Sequence, residues 1–450
     1  MRRCCLLFFV AASAALAATR TVANSAELTA AIAAAKPGDT IVMRDGAWKD
    51  ERIVLNSAGA AGAPVTLRAQ TPGKVMLGGA SSLTFATPYV NAEGLLFQDG
   101  AIAKGTVISF KSDHCRFTDS AIVNYNPAEL TTQYYWVYFE GSDNVVERDL
   151  FRAKNHMGPL VGNAIKDARH NTVARCYFKD IGSSHGRNGM EIFRVWGYGG
   201  NEEMGDDGAF FTIDANLFDH ADGESMEIIS LKSNRNRVTG NTIRATLGGI
   251  TNRSGNFNTI ANNIILCEGR KGAYGMRVTG QQQHVTNNTI ARCDYGIMLV
   301  SGEFIERDVT GKYDPIKRDG TPLGRVPRYG WVRQGEFTRN TFIDNTGPDL
   351  MMGGNYKSGW PASQRFLLPE DNLIGENVIV KHGGGVAAEA TAADVAPPLD
   401  AFHFQPNRFV NNTLYGGTTA LPGFTTKDPG LAPALPIKPL TPADVGPSWK

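Results

Sequence analysis

Beyond its first 18 residues the chain has no apolar run long enough to read as a membrane-spanning helix. It also lacks an excess of either charge: 45 lysines and arginines face 44 aspartates and glutamates, for a formal net charge of +1. No electrostatic bias therefore favours nucleic acid or an anionic membrane, and an anionic ligand must be met by local cations. Histidine is scarce, eight in 450 residues, and none forms a pair at useful metal-ligand spacing. Six cysteines are too few and too scattered for a disulfide framework or a zinc site. Four lie beyond the leader, Cys115, Cys176, Cys267 and Cys293, and are read as buried packing residues. Glycine-rich phosphate loops and nucleophilic serine elbows are absent from any strand-to-helix context.

What is present begins with "MRRCCLLFFVAASAALAA", which reads as a secretory signal over residues 1–18. Arg2 and Arg3 supply the positive end, an apolar run follows, and Ala15-Leu16-Ala17 fits a cleavage site. Cys4 and Cys5 precede the apolar run, which argues against a lipid-modified cysteine. Loss of the two arginines leaves 45 − 2 − 44 = −1. A periplasmic or secreted protein is expected.

Next comes an amphipathic helix with Ser25 as N-cap, Leu28 and Ile32 on one face, and Lys36-Pro37-Gly38 as its stop. A strand, "TIVM", follows, and the helix would cover the first rung of a stack. Then one pattern recurs: apolar, two polar, small or amide, any residue, apolar. It appears as "FQDGAI" from Phe97, "FTDSAI" from Phe117, "VERDLF" from Val146, "VARCYF" from Val173 and "IDANLF" from Ile213. It continues as "VTGNTI" from Val238, "IANNII" from Ile260, "VTNNTI" from Val285, "FTRNTF" from Phe337, "IGENVI" from Ile374 and "FVNNTL" from Phe409. Asparagine holds the fourth place at Asn216, Asn241, Asn263, Asn288, Asn340, Asn377 and Asn412. Neighbouring copies stand about 20 to 50 residues apart, as solenoid coils do. Each coil is too small to bury its own apolar residues, and stacking makes a shared core. The expected fold is all-β, a parallel β-helix over residues 19–425, with the Pro-rich tail 426–450 lying along its outside. The leucine density of a leucine-rich repeat and the even period of a propeller are both missing. Between Val300 and Phe337 a long break, dense in Lys, Arg, Tyr and Trp, interrupts the coils and is expected to be functional or disordered.

Charge gathers in "GESMEIISLKSNRNRVTGNT", residues 223–242, where Glu224 and Glu227 stand close to Lys232. Five positions separate Glu227 from Lys232, so in a straight strand they face opposite sides; a turn near Ser230 would bring them to one groove. Arg253 lies 21 residues beyond Lys232, and Arg277 another 24 beyond that. Both steps equal about one coil, which would stack the three cations on one face. Upstream, "GRNGMEIFRVWGYGG" adds Arg187, Glu191, Arg194 and Trp196. The stretch "NEEMGDDG" at 201–208 reads as a solvated acidic loop.

The segments "MEIISLKS", "TNRSG" and "YGMRVTG", with "NGMEIFRV" and the "LTPADVGPSW" tail, resemble polysaccharide lyase family 6, which contains alginate lyases and chondroitinase B. The resemblance implies a right-handed parallel β-helix, Lys232 as catalytic base, Arg253 as catalytic acid and Arg277 as a substrate-binding residue. Glu227, Ser254, Arg187, Arg194 and Trp196 are the further candidates for substrate contact. Lysine is a base only when neutral, so its pKa must fall from about 10.4; burial, Arg253 and Arg277 would push it down. Two departures stand out: Ser225 replaces the first of two family metal glutamates, and Ser254 replaces a histidine. The expectation is an enzyme with no cofactor, or one with Ca2+ held weakly by Glu227 and Glu224. The implied activity is β-elimination of alginate at mannuronate-containing linkages by a monomer with an anionic polysaccharide as its partner, and neither nucleic acid nor membrane. Dermatan sulfate lyase, uronate C5-epimerase and a non-catalytic glycan-binding β-helix are the alternatives.

Overall fold

A computed structural model describes residues 17–199, 202–203, 208–303, 305–306, 313–314, 329–357, 365–392, 405–430 and 438–450. Nearly all of the signal segment, and most of the acidic loop 201–208, lie outside the described residues. The chain winds as a right-handed parallel β-helix with three long sheets of 14, 13 and 14 strands, and in each sheet the strands follow chain order. The first sheet starts at Thr19–Val22, the 13-stranded second sheet at Arg52–Leu55 and the third at Gly46–Lys49.

The recurring pattern turns the corner between the first and third sheets. Its leading residue, from Phe117 through Val146, Val173, Ile213, Val238, Ile260, Val285, Phe337 and Ile374 to Phe409, forms one unbroken register in the first sheet. "FQDGAI" is the exception. Phe97 pairs with Ile122 in the third sheet, and Ala92 fills the column before Phe117. The apolar spacing there matched the pattern by chance of composition, one strand out of step.

Directly before the corner asparagine the backbone is left-handed, as at Ala215 (φ 53°), Asn262 (φ 59°), Asn287 (φ 56°) and Arg339 (φ 55°). That single inversion bends the strand without a loop. It leaves buried amides, which the asparagines satisfy: each Nδ2 from Asn216 to Asn377 donates to Oδ1 of the next ladder member at 2.9–3.1 Å, ending on Asn412. A buried donor left unpaired costs about 1–3 kcal/mol, so every missing rung would weaken the stack.

Two further expectations need correction. Asn24, not Ser25, caps the helix Ser25–Ala34, its side chain accepting from Glu27 N at 3.0 Å; Leu28, Ala31 and Ile32 are buried. Asparagine one residue earlier has the extended backbone that an N-cap needs. Cys267 and Cys293 are not simple packing residues but form a disulfide. Their separation of 26 residues is one coil, so the bond joins neighbouring rungs, a proximity that exists only in the wound chain. Cys115 and Cys176 are free and buried.

The tail, over its described residues 438–450, lies on the outside of the third sheet. Val445 packs with Leu96, Ala121, Val123, Leu150, Tyr177 and Leu217, and Trp449 Nε1 donates to Asp119 O at 2.7 Å. No helix among the described residues is long and apolar enough to cross a membrane.

Candidate active site

The charged residues meet on the outer face of the second sheet, across the adjacent strands Phe193–Trp196, Glu227–Lys232, Gly248–Ser254 and Ala273–Val278. A β-bulge resolves the odd spacing of Glu227 and Lys232. Glu227 pairs with Gly249 but Ile229 with Ile250, so Ile228 is an extra residue. Ile228 and Ile229 both enter the core, and Glu227, Ser230 and Lys232 all take the outer side. No turn at Ser230 is involved. A second bulge makes Arg253 the extra residue of its own strand, since Leu231 pairs with Asn252 and Lys232 with Ser254. The three cations therefore share a face without forming one row: Arg277 pairs with Thr251, and Thr251 with Ser230.

Two carboxylates organise the cations. Glu227 Oε1 lies 3.4 Å from Arg253 Nε and 3.7 Å from Arg277 Nη2, and Ser230 Oγ donates to its other oxygen at 2.6 Å. Glu191 takes Arg194 through both oxygens, with Nε at 2.7 Å, and has Lys232 Nζ at 3.4 Å. Trp196 forms a platform, with Lys232 Nζ 4.7 Å and the Arg194 guanidinium 5.4 Å from its ring centre. A neutral π face stabilises these cations without supplying a proton acceptor.

An unbroken strand through Ser225 would point Glu224 away from Glu227. Residues 224–226 instead form a turn before the strand, with Ser225 left-handed (φ 68°) and its hydroxyl 2.8 Å from that of Ser183. Glu224 then accepts from Gly189 N at 2.7 Å and stands with Glu191 and Glu227, ligand oxygens within 4.8 Å of one another. Ser254 Oγ donates to the carbonyl of Arg253 at 2.8 Å, and Arg187 is exposed in the turn that follows Ser183, making none of these contacts.

Sequence reasoning named Glu191 without placing it in the site, and missed Tyr329 altogether. For Glu191 a signal existed: Met190-Glu191-Ile192 is repeated one coil later as Met226-Glu227-Ile228. Tyr329 lies in the break between Val300 and Phe337, where no coil pattern fixes register. Its ring centre is 4.2 Å from the Arg253 guanidinium, and its hydroxyl accepts from Arg277 Nη2 at 3.2 Å.

Burial is the main force lowering the Lys232 pKa, and the positive charges of Arg194 and Arg253 act in the same direction. Glu191 and Glu227 oppose it. Arg277, expected to contribute, is engaged by Glu227 and Tyr329 instead. Glu224 is pushed up to about 7, by burial first and by the negative charge of Glu191 and Glu227.

Three carboxylates in reach of one another raise the question of a divalent cation. Calcium needs six to eight oxygens and a surplus of negative charge. Here the three face four cations, Arg194, Lys232, Arg253 and Arg277, which already occupy Glu191 and Glu227. These residues do not fit a calcium site as they stand. Chemically the arrangement offers one lysine biased toward its neutral form and arginines able to neutralise a bound carboxylate.

Comparison with curated protein sequences gives no match. The family model described as chondroitinase B matches residues 22–433. A polysaccharide lyase of the PL6 family from Pseudopedobacter saltans, Pedsa3628, is similar at 48% identity and TM-score 0.84, covering 96% of this chain and 99% of that one. The PL6 alginate lyase AlyGC is similar at 25% identity and TM-score 0.79, over 96% of this chain and 59% of that one. A mannuronic acid specific family 6 lyase from human gut microbiota shares the fold at 21% identity and TM-score 0.73, over 96% of this chain and 97% of that one.

Proposed function

The chain belongs to the chondroitinase B family, polysaccharide lyase family 6, and from that premise we propose that it is a secreted or periplasmic alginate lyase cutting mannuronate-containing linkages by β-elimination. The observation that carries this reading is Lys232 on the outer face of the second sheet, its Nζ 3.4 Å from Glu191, where burial and the charges of Arg194 and Arg253 lower its pKa. Lys232 takes the proton from C5 of the uronate. The C–H electron pair becomes the C4=C5 double bond as the C4–O bond breaks, and the departing alkoxide takes a proton from solvent water. Arg277 and Arg253 meet the uronate carboxylate, whose charge otherwise makes the C5 proton a poor acid. Arg253 also stabilises the oxygen that leaves; an arginine stays protonated and serves better as charge than as proton source.

The cations that surround Glu191 and Glu227 take over carboxylate neutralisation, so catalysis proceeds without calcium. The leader and the Cys267–Cys293 disulfide support an oxidising compartment outside the cytoplasm. AlyGC, described as an alginate lyase, supports the choice of alginate. The description of the family model favours dermatan sulfate as the second reading. Incubation with polymannuronate, polyguluronate, mixed alginate and dermatan sulfate, followed at the absorbance of the unsaturated product, separates them. Signal from dermatan sulfate alone refutes the alginate assignment; an epimer change without cleavage refutes the lyase.

A further inference from the structure

The geometry points to Tyr329 as a positioning residue that fixes both site arginines, an inference that rests on the reading above. Arg253 is the extra residue of a bulge, and its side chain is about a quarter exposed at 24%. Its contact with Glu227 is shared, because the same carboxylate oxygen also serves Arg277. Tyr329 meets both arginines with different parts of one side chain. Its ring lies under the Arg253 guanidinium at 4.2 Å, and its hydroxyl accepts from Arg277 Nη2 at 3.2 Å. A neutral ring attracts the two cations without competing for the charge they must present to a substrate carboxylate.

The tyrosine is itself firmly seated. Only 7% of it is exposed, and its carbonyl accepts from Glu303 N at 2.8 Å. Arg365 lies 4.3 Å from the same ring and is paired with Glu303 at 3.2 Å. Gly302 and Leu367 exchange backbone hydrogen bonds at 2.7 and 3.1 Å, and Trp331, Phe366 and Leu367 form a small apolar cluster behind them. Segments from either side of two chain excursions thus build a wall against the second sheet, with Tyr329 as its contact with the arginines. The residue touches arginines rather than the reacting atoms, so its effect passes through them.

Two substitutions test this on the full-length protein, with oligouronate kinetics and crystal structures of each variant. Tyr329→Phe keeps the ring and loses the hydroxyl: KM should rise about three- to tenfold with kcat within about twofold, because Arg277 loses one acceptor but keeps Glu227, and Arg253 keeps the ring. Tyr329→Leu removes both supports: kcat should fall at least about tenfold, and the Arg253 guanidinium should leave its place. Wild-type KM in the phenylalanine variant, or wild-type kcat in the leucine variant, overturns the proposal. If wild-type protein cleaves none of the uronate polymers, the functional reading fails instead. The crystal structures then still decide: unmoved arginines in Tyr329→Leu overturn the positioning role. Should Tyr329→Leu fail to fold, the phenylalanine KM settles the matter.

Discussion

Glu227→Gln is the substitution with the most to reveal, because one buried oxygen supports two cations. Arg253 Nε and Arg277 Nη2 stand 3.4 and 3.7 Å from it. At an effective permittivity of about 20, each contact corresponds to roughly 4–5 kcal/mol of Coulomb attraction. Loss of one partner of a buried pair costs about 3–5 kcal/mol, and the partial exposure of Arg253 screens part of that. A glutamine still accepts from Ser230 Oγ, so the expected loss of unfolding free energy is roughly 2–4 kcal/mol, read from urea denaturation at pH 7. Glu227 also raises the Lys232 pKa, so its neutralisation lowers that pKa further. Lysine works as a base when neutral, so the acidic limb of the pH–rate profile should move to lower pH. Stability within about 0.5 kcal/mol of wild type would refute the shared-carboxylate account. So would an acidic limb displaced upward.

Glu224 gives a second pH signature. Its folded pKa of about 7 lies above the ordinary 4.5, so the unfolded chain releases this proton first as pH rises. The stability linked to it is whole below about pH 4.5 and is lost as pH passes through about 7. Glu224→Gln should therefore raise the unfolding free energy at pH 8.5 and not at pH 4.5, by a difference on the order of 2–3 kcal/mol after solvent screening, read from urea denaturation; equal effects at both values would contradict the burial argument. Asn263→Ala removes the acceptor of Asn241 Nδ2 at 2.9 Å and of its backbone N–H at 3.1 Å, and should cost roughly 2–4 kcal/mol by denaturation. A neutral result would mean that the ladder is ornamental. Chelator should leave activity within about twofold and added calcium should leave Tm unchanged; complete loss restored by calcium would show that the arginines yield their carboxylates to the ion.

How much of this was readable in the chain follows from what repeats. The corner pattern from Phe117 to Phe409 was legible because every coil must place an apolar residue, a left-handed turn and an amide in the same order. Lys232, Arg253 and Arg277 were legible by spacing and by resemblance, but their geometry was not. Two bulges, which shift register by one residue each, decide which side chains share the face. A bulge leaves little trace in composition, since Ile228 and Ile229 read as an ordinary buried pair. The Cys267–Cys293 bond was hidden because coil length, not sequence distance, sets proximity. The way Glu224 reaches the other carboxylates was not legible, because a strand extended through Ser225 would turn it away, whereas the backbone there is left-handed. Tyr329 escaped because its position depends on chain excursions that carry no period.

The central claim is that Lys232 is the base of an elimination on a uronate polymer. Its most direct test is the absorbance of unsaturated product when the mature protein and its Lys232→Ala variant meet polymannuronate. The account predicts steady product from the first and none from the second, with both proteins showing the same thermal unfolding. Equal product from the folded variant would contradict it.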